Sequence, residues 1–219
     1  MEINPNDIDQ RDVYKLLIGS VVPRPIAWVA TQDAEGRNNL APFSFFNAIG
    51  SNPPALTVSI NHAAARVDGR KDTLSNILET GEFVVNIVTE DTVHAMNETA
   101  IDYPAGVDEF VQAGLDSVPS LTVRPLRVAA SPVNFECTLF TSVPIGSGPG
   151  STILVVGLIK HIHIRDDLLD ERYRIDIERL RPVAALPAAA TARCAKSLIS
   201  SEKAINRTTN VCQPLPYLV

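Results

Sequence analysis

The chain is organised around residues 23–61, where three extended, largely apolar runs follow one another with turn residues between them. The first run, residues 26–31, is apolar and contains β-branched side chains, which predicts a buried strand. Gly36 supplies the positive φ of the turn that follows, and a second extended run covers residues 40–48. Two consecutive prolines then restart the chain as a third run at residues 55–61. This stretch therefore predicts three consecutive strands joined by short connections.

The second of these runs carries polar groups that are suited to a ligand. Pro42 cannot donate to the hydrogen-bond ladder, so its presence predicts an edge strand or a β-bulge. A bulge would leave backbone amides free for a ligand. Ser44 and Asn47 add a hydroxyl and an amide group among three phenylalanines.

A cationic helix start follows the third run. Apolar residues recur at helical spacing after Thr73, which predicts an amphipathic helix with Asp72 or Thr73 as its N-cap. The unpaired N–H groups and positive dipole end of a helix N-terminus suit a phosphate, and Arg70 and Lys71 add two cations. The alternative is a capped surface helix with solvated charges. The sequence has neither GxGxxG nor GxxxxGK[ST], so the usual nucleotide-binding loops are absent.

A β-hairpin is predicted in the second half of the chain. Residues 133–143 alternate apolar and polar side chains, which predicts a half-buried strand with Cys137 on the apolar face as a small core residue. A second strand at 151–164 places His161 and His163 on one face. A metal site would need a third ligand, and none is evident in the sequence.

The sequence resembles the flavin reductase-like, FMN-binding split-barrel family. The resemblance rests on the strings PRPIAWVAT, NLAPFSFFNAI and NPP, followed by RKDTLSNI and GEFVVNIV. These uncommon strings occur in the family's order and spacing, and the resemblance covers about residues 5–186. It implies a mainly β fold, a Greek-key split β-barrel with a few short helices. It also implies a homodimer with FMN bound near the dimer interface.

The resemblance also assigns the cofactor-binding residues. Those expected to line the flavin are Thr31, Asn39, Ala41, Ser44, Phe46 and Asn47. Those expected to hold its phosphate and ribityl chain are Ser59, Arg70, Lys71, Asp72 and Thr73. Arg24 lies between two prolines and is predicted to contact the flavin or the second subunit, or alternatively to form a structural ion pair. The family has a histidine at the His163 position, close to the flavin edge or the nicotinamide pocket, so His163 is the candidate catalytic residue.

The function implied by the resemblance is that of an FMN-dependent oxidoreductase, with FAD as the other flavin allowed. Electrons would pass from NAD(P)H through the flavin to an acceptor or to a partner protein such as a monooxygenase. The flavin ring supplies the difficult chemistry, so a catalytic triad or carboxylate pair is not needed. The alternatives are an FMN-binding electron carrier or sensor without its own NAD(P)H activity, and a β-barrel that keeps only the fold.

Composition narrows the remaining classes of function. The chain has 219 residues, 45% of them hydrophobic, which suits one globular core. Its net charge of −6 argues against a nucleic-acid partner. The polar N-terminus lacks the features of a secretory signal, and no run approaches the ~18 apolar residues of a membrane span, so a cytoplasmic location is expected. The cysteines share no metal-ligand spacing, and no metal site is expected.

Residues 187–219 depart from the family pattern of a Gly-Gly segment, a tyrosine and a Val-Phe-Asp-Leu-like ending. A family-like ending can be encoded by codons that, when read one base out of frame, give residues 188–191 and 196–200 of this chain. We hypothesise that a barrel domain of residues 1–186 is followed by a frameshifted, disordered tail, native or artefactual. Resequencing the gene tests this, and the hypothesis fails when no single-base insertion or deletion restores a family-like ending.

Overall fold

The computed structural model describes residues 1–63, 66 and 68–186 and the backbone of residues 192–193. The strands are β1 (Arg24–Pro25), β2 (Ala27–Gln32), β3 (Asn38–Phe43), β4 (Phe46–Ser51), β5 (Pro54–Asn61), β6 (Glu82–Ile87), β7 (Ser117–Val118), β8 (Arg127–Val128), β9 (Val133–Ile145), β10 (Thr152–Ile164), β11 (Val183–Ala185) and β12 (Ala192–Arg193). The helices are α1 (Gln10–Ser20), α2 (Asp72–Thr80), α3 (Val93–Glu98), α4 (Glu109–Gln112) and α5 (Ile177–Leu180), with 3-10 turns at Pro5–Asp7 and Asp166–Leu168. Apart from the backbone of residues 192–193, the hypothesised tail lies outside the described residues.

One seven-stranded antiparallel sheet forms the body of the protein, in the order β3-β2-β6-β9-β10-β5-β4. Its two edge strands, β3 and β4, are consecutive in the chain. Strands β9 and β10 form the long predicted hairpin at the centre of the sheet. A small sheet, β1-β11-β12, and the pair β7-β8 complete the strand pairing.

The sheet is covered on both faces, as the side chains of β2 show. Ala27 and Val29 belong to a core that includes Leu74 and Ile77 of α2. Trp28 points to the opposite face and packs with residues of α3, α4 and the segment around β8. All three β2 side chains are fully buried, so the predicted buried strand is confirmed.

The second predicted run is two strands rather than one. Strand β3 ends at Phe43, the chain bends at Ser44, and β4 begins at Phe46. Pro42 lies on an edge strand, as one of the two alternatives predicted. Strand β3 pairs with β2 in unbroken register, so the other alternative, a bulge at Pro42, is wrong.

Helix α2 begins at Asp72, whereas a predicted N-cap at Asp72 or Thr73 would place its first residue at position 73 or 74. Lys71 is the N-cap, and no side chain caps the helix. The prediction of Asp72 or Thr73 as N-cap is therefore wrong. Both side chains have other partners, because Asp72 pairs with Arg66 and the Thr73 hydroxyl accepts from Asn39.

Strand β9 is buried on both of its faces at its N-terminal half. Glu136 is 0% exposed and Asn134 is 3% exposed, although the alternating pattern placed both on the half-buried strand's polar face. The segment after β7 covers this face, because the amides of Leu121 and Thr122 donate to the Glu136 carboxylate. The predicted half-burial is therefore wrong, whereas the buried position of Cys137 is confirmed.

Candidate functional site

A small cavity lies where the edge strand β3 meets the N-terminus of α2. Its volume is about 70 Å³, well below the roughly 300–1,000 Å³ of pockets that enclose a whole ligand. It is lined by Asn39, Ala41, Pro42, Arg66, Lys71, Asp72, Thr73, Thr99, Ala100, Ile101, Asp102, Tyr103 and Glu109. Five of the predicted cofactor-binding residues are among them. The cavity has room for a phosphate-sized group but not for a flavin ring.

Three of the predicted residues are brought together by hydrogen bonds beneath this cavity. Asn39 Nδ2 donates to Thr73 Oγ1 at 2.9 Å and to Thr31 Oγ1 at 3.3 Å. Asn76 Nδ2 also donates to Thr31 Oγ1, at 3.0 Å. All four side chains are buried, so these bonds fix β2, β3 and α2 relative to one another. They hold the start of α2 against the edge of the sheet.

The start of α2 has the features of an anion site. Its N-cap, Lys71, makes no side-chain cap, so amides of the first turn are left for another acceptor. Lys71 Nζ lies 5.7 Å from the centre of the ring of Phe43, which is the last residue of strand β3. The lysine is exposed and is therefore accessible to a ligand.

Arg66 closes one side of the cavity, and the sequence analysis did not single it out. Its Nη2 donates to Asp72 Oδ2 at 3.0 Å and to the carbonyl of Tyr103 at 2.8 Å. Asp102 Oδ1 is 3.7 Å from the same nitrogen. The guanidinium thus ties the segment after α3 to the first turn of α2.

Glu109 is a second lining residue that the sequence analysis missed. It is 7% exposed, and its Oε2 accepts a hydrogen bond from the amide of Leu40 on the edge strand at 2.9 Å. Burial is the main cause that raises the pKa of Glu109 above its ordinary value, and the charges of Asp72 and Asp108 add to it. A buried carboxylate beside the helix start opposes an anionic ligand whenever it is ionised.

Glu109→Gln is expected to strengthen phosphate-group binding in this cavity by about threefold to tenfold at neutral pH. The glutamine keeps an oxygen for the Leu40 amide and removes the charge. Titration of FMN into both proteins, followed by flavin fluorescence, measures the effect. The difference should shrink as the pH falls through the raised pKa of Glu109, since the wild-type side chain then becomes neutral as well. Weaker binding by the variant at every pH would contradict this role.

The other predicted residues lie outside the small cavity. Arg24 is 6% exposed, and its Nη1 donates to the carbonyls of Ile18 at 2.6 Å and Val21 at 3.3 Å. Its Nε also reaches Ser44 Oγ at 3.4 Å. Carbonyl groups at the end of α1 therefore hold this arginine, in place of the carboxylate that a structural ion pair requires.

The predicted residues of the β4–β5 edge have different surroundings. Phe46 packs against the core cluster on the α2 side of the sheet, whereas Asn47 is exposed. Ser59 is half-buried, and its amide donates to the Phe45 carbonyl at 2.8 Å. Arg70 is exposed beside the helix start, with its amide bonded to Asp68 Oδ1 at 3.0 Å.

His163 lies at a second, larger cavity of about 510 Å³. Its Nε2 is 2.6 Å from Glu136 Oε1, and the ring centres of His163 and His161 are 4.6 Å apart, as their predicted common face requires. No residue lines both cavities. A role for His163 beside a flavin thus remains a prediction.

Within the described part of the chain, no group of three or more His, Cys, Asp and Glu side chains is placed to bind a metal ion. No described helix is both long and apolar enough to cross a membrane.

Comparison with known proteins identifies the family. Residues 18–181 match the flavin reductase like domain. The chain belongs to this family. A relative, an uncharacterized protein of Aquifex aeolicus (strain VF5), is 39% identical over 187 residues, which cover 85% of this chain and 92% of that protein.

Similar solved structures confirm the predicted fold. Nitrilotriacetate monooxygenase component B of Bacillus cereus has a TM-score of 0.85 and 36% identity, covering 90% of this chain and 97% of its own. The Pseudomonas fluorescens 2-nitrobenzoate 2-nitroreductase NbaA has a TM-score of 0.82 and 29% identity, covering 96% and 100%. A Shewanella frigidimarina NCIMB 400 structure with a split barrel domain has a TM-score of 0.77, 21% identity and coverage of 93% and 100%.

Proposed function

We propose that this flavin reductase-like protein binds FMN and passes electrons from NAD(P)H through it to an acceptor or a partner protein. The observation that carries the proposal is the uncapped start of α2, where exposed Lys71 and the Thr73 hydroxyl adjoin the edge strand β3. A terminal phosphate suits this position in size and charge. FAD is the alternative flavin.

The residues of the small cavity fit such a phosphate. Lys71 supplies a cation, and the open first-turn amides of α2 supply neutral donors. Thr73 Oγ1 accepts from Asn39, which leaves the hydroxyl proton of Thr73 free to donate to a phosphate oxygen. Arg66 holds Asp72 in an ion pair and so offsets its charge. The flavin, when bound, would supply the hydride-accepting chemistry, and this chain would orient it.

Part of the surface supports the proposed homodimer. Helix α1 has no buried residue, and Tyr14, Leu16 and Leu17 are each 47–49% exposed. Ile49 on the edge strand β4 is 54% exposed. Apolar side chains on a helix that buries nothing are expected to pack against a partner, and a second copy is the partner we propose.

The nature of the electron acceptor rests on the relatives. The Bacillus cereus protein is a monooxygenase component, which supports transfer to a partner monooxygenase. The Pseudomonas fluorescens protein is a nitroreductase, which supports direct reduction of a small molecule. An electron carrier without its own NAD(P)H activity is the second candidate for this chain.

Consumption of NADH or NADPH by the purified protein tests the proposal. We expect FMN-dependent oxidation of either NADH or NADPH, measured as a decrease in the absorbance of the reduced nucleotide. No oxidation is expected without flavin. Retained FMN without oxidation of either nucleotide would contradict the reductase and favour the carrier. Lys160→Ala, on the exposed side of β10, is a control that should leave the rate unchanged.

A further inference from the structure

The larger cavity has the charge and shape of a site for a small anion. We name it the arginine–histidine cavity, and it is lined by Val118, Arg127, Val128, Ala129, Ala130, Ser131, Pro132, Asn134, Ile162, His163, Ile164 and Arg165. Its volume of about 510 Å³ lies in the range of ligand pockets. The described lining includes two arginines and a histidine but no acidic side chain, although the whole chain carries a net charge of −6.

Arg127 is held in position with donors to spare. Its Nε and Nη2 donate to the carbonyl of Pro119 at 3.2 and 3.0 Å, and its Nη1 reaches Asn134 Oδ1 at 3.5 Å. A guanidinium has five N–H donors, so these three contacts leave one on each terminal nitrogen. A fixed, partly unsatisfied guanidinium is suited to the oxygens of a carboxylate or phosphate.

His163 is oriented from below by Glu136. The Glu136 oxygens accept from the Leu121 amide at 2.7 Å, the Thr122 amide at 2.6 Å and the Thr122 hydroxyl at 2.5 Å. An ionised carboxylate only accepts hydrogen bonds, so the 2.6 Å contact requires the proton on Nε2 of His163. Nδ1 has no hydrogen-bond partner among the described residues, so this side of the ring is left for a ligand.

The rest of the lining sets the character of the ligand. Val118, Ile162 and Ile164 give the cavity apolar walls, and Arg165 is paired with Asp167. We propose that the arginine–histidine cavity binds a small organic oxyanion, with a carboxylate or phosphate between Arg127 and His163 and an apolar body against these walls. The proposal stands without the flavin, because the two cavities share no lining residue.

Calorimetric titration with benzoate, inorganic phosphate and NADP⁺ tests this site in the unaltered protein, in Arg127→Gln and in Arg127→Lys. We expect at least one probe to bind, and Arg127→Gln to weaken it about tenfold or more. Arg172→Gln is the matched control, since Arg172 is exposed and does not line the cavity. FMN affinity should be the same in all four proteins, which separates this test from that of the proposed function.

The three probes distinguish the sources of the oxyanion. Binding of benzoate alone assigns a carboxylate, and binding of phosphate or NADP⁺ assigns a phosphate ester. Should Arg127→Gln fail to fold, a benzoate- or phosphate-induced shift of the His163 ring signals in the NMR spectrum of the unaltered protein replaces the comparison. No binding by any probe at about 10 mM, or equal affinity in Arg127→Gln, would overturn the proposal.

Discussion

The double variant Lys71→Ala/Thr73→Ala is expected to bind FMN about 100-fold more weakly than the unaltered protein. The variant loses the exposed ammonium group beside the uncapped start of α2 and the hydroxyl that lines the same cavity. A hydrogen bond to a charged group contributes about 1.5–3 kcal/mol, and a neutral one about 1 kcal/mol. Fluorescence titration of FMN measures the loss.

Thr73 also has a structural contact, which the controls must separate from binding. Its hydroxyl accepts from Asn39 at 2.9 Å, so Thr73→Ala leaves a buried amide donor with one partner fewer. Lys71→Ala alone avoids this effect and should still weaken FMN about tenfold. Lys160→Ala removes an equal charge elsewhere and should not change the affinity. Unchanged affinity in the double variant would contradict the phosphate site.

Glu136→Gln is expected to lower the free energy of unfolding by about 3 kcal/mol at neutral pH. Glu136 is 0% exposed, and its oxygens accept from two amides, a hydroxyl and His163. Burial raises the pKa of this carboxyl, but the hydrogen bonds, led by that from Thr122, outweigh it and lower the pKa to about 2. Gln replaces one acceptor oxygen with an NH₂ group that faces donors. Chemical denaturation measures the loss.

Glu136→Gln is also expected to change how the free energy of unfolding depends on pH in the acid range. The folded-state pKa of Glu136 lies below its ordinary value of 4.5. Its contribution to stability is therefore complete above pH 4.5 and is lost as the pH falls towards 2. The stability of Glu136→Gln should lack this dependence, so the two proteins should converge at low pH.

Glu82→Gln is the matched control on the neighbouring strand. Glu82 accepts from Arg124 at the surface, where the arginine side chain is 53% exposed, and such pairs contribute about 1 kcal/mol at most. An equal loss of stability in both variants would contradict the special position of Glu136.

The parts of the fold that could be predicted were those set by neighbouring residues. The apolar run of β2 and the positive φ of Gly36 are local properties of the chain, and both are present. The end of β3 at Phe43 was missed because Pro42 indicates an edge strand or a bulge and does not by itself mark the end of a strand. The burial of Glu136 was missed because an alternating pattern cannot show that residues 119–131 fold over the polar face of β9.

The same limit applies to the candidate site. Lys71 and Thr73 could be proposed from sequence because they lie two positions apart at a predicted helix start. Glu109 could not, because it reaches the cavity through a bond to Leu40, which lies 69 positions away in sequence. Arg66 was missed for a related reason, since its role depends on the Tyr103 carbonyl, which lies 37 positions further along the chain.

An absorption spectrum of the purified protein, recorded after FMN addition and desalting, tests the central claim most directly. Phosphate binding at the start of α2 predicts that the bands of oxidised flavin remain with the protein, and that Lys71→Ala/Thr73→Ala loses them. A folded but colourless wild-type protein after desalting, with no FMN binding in a direct titration, would contradict the proposed flavin site.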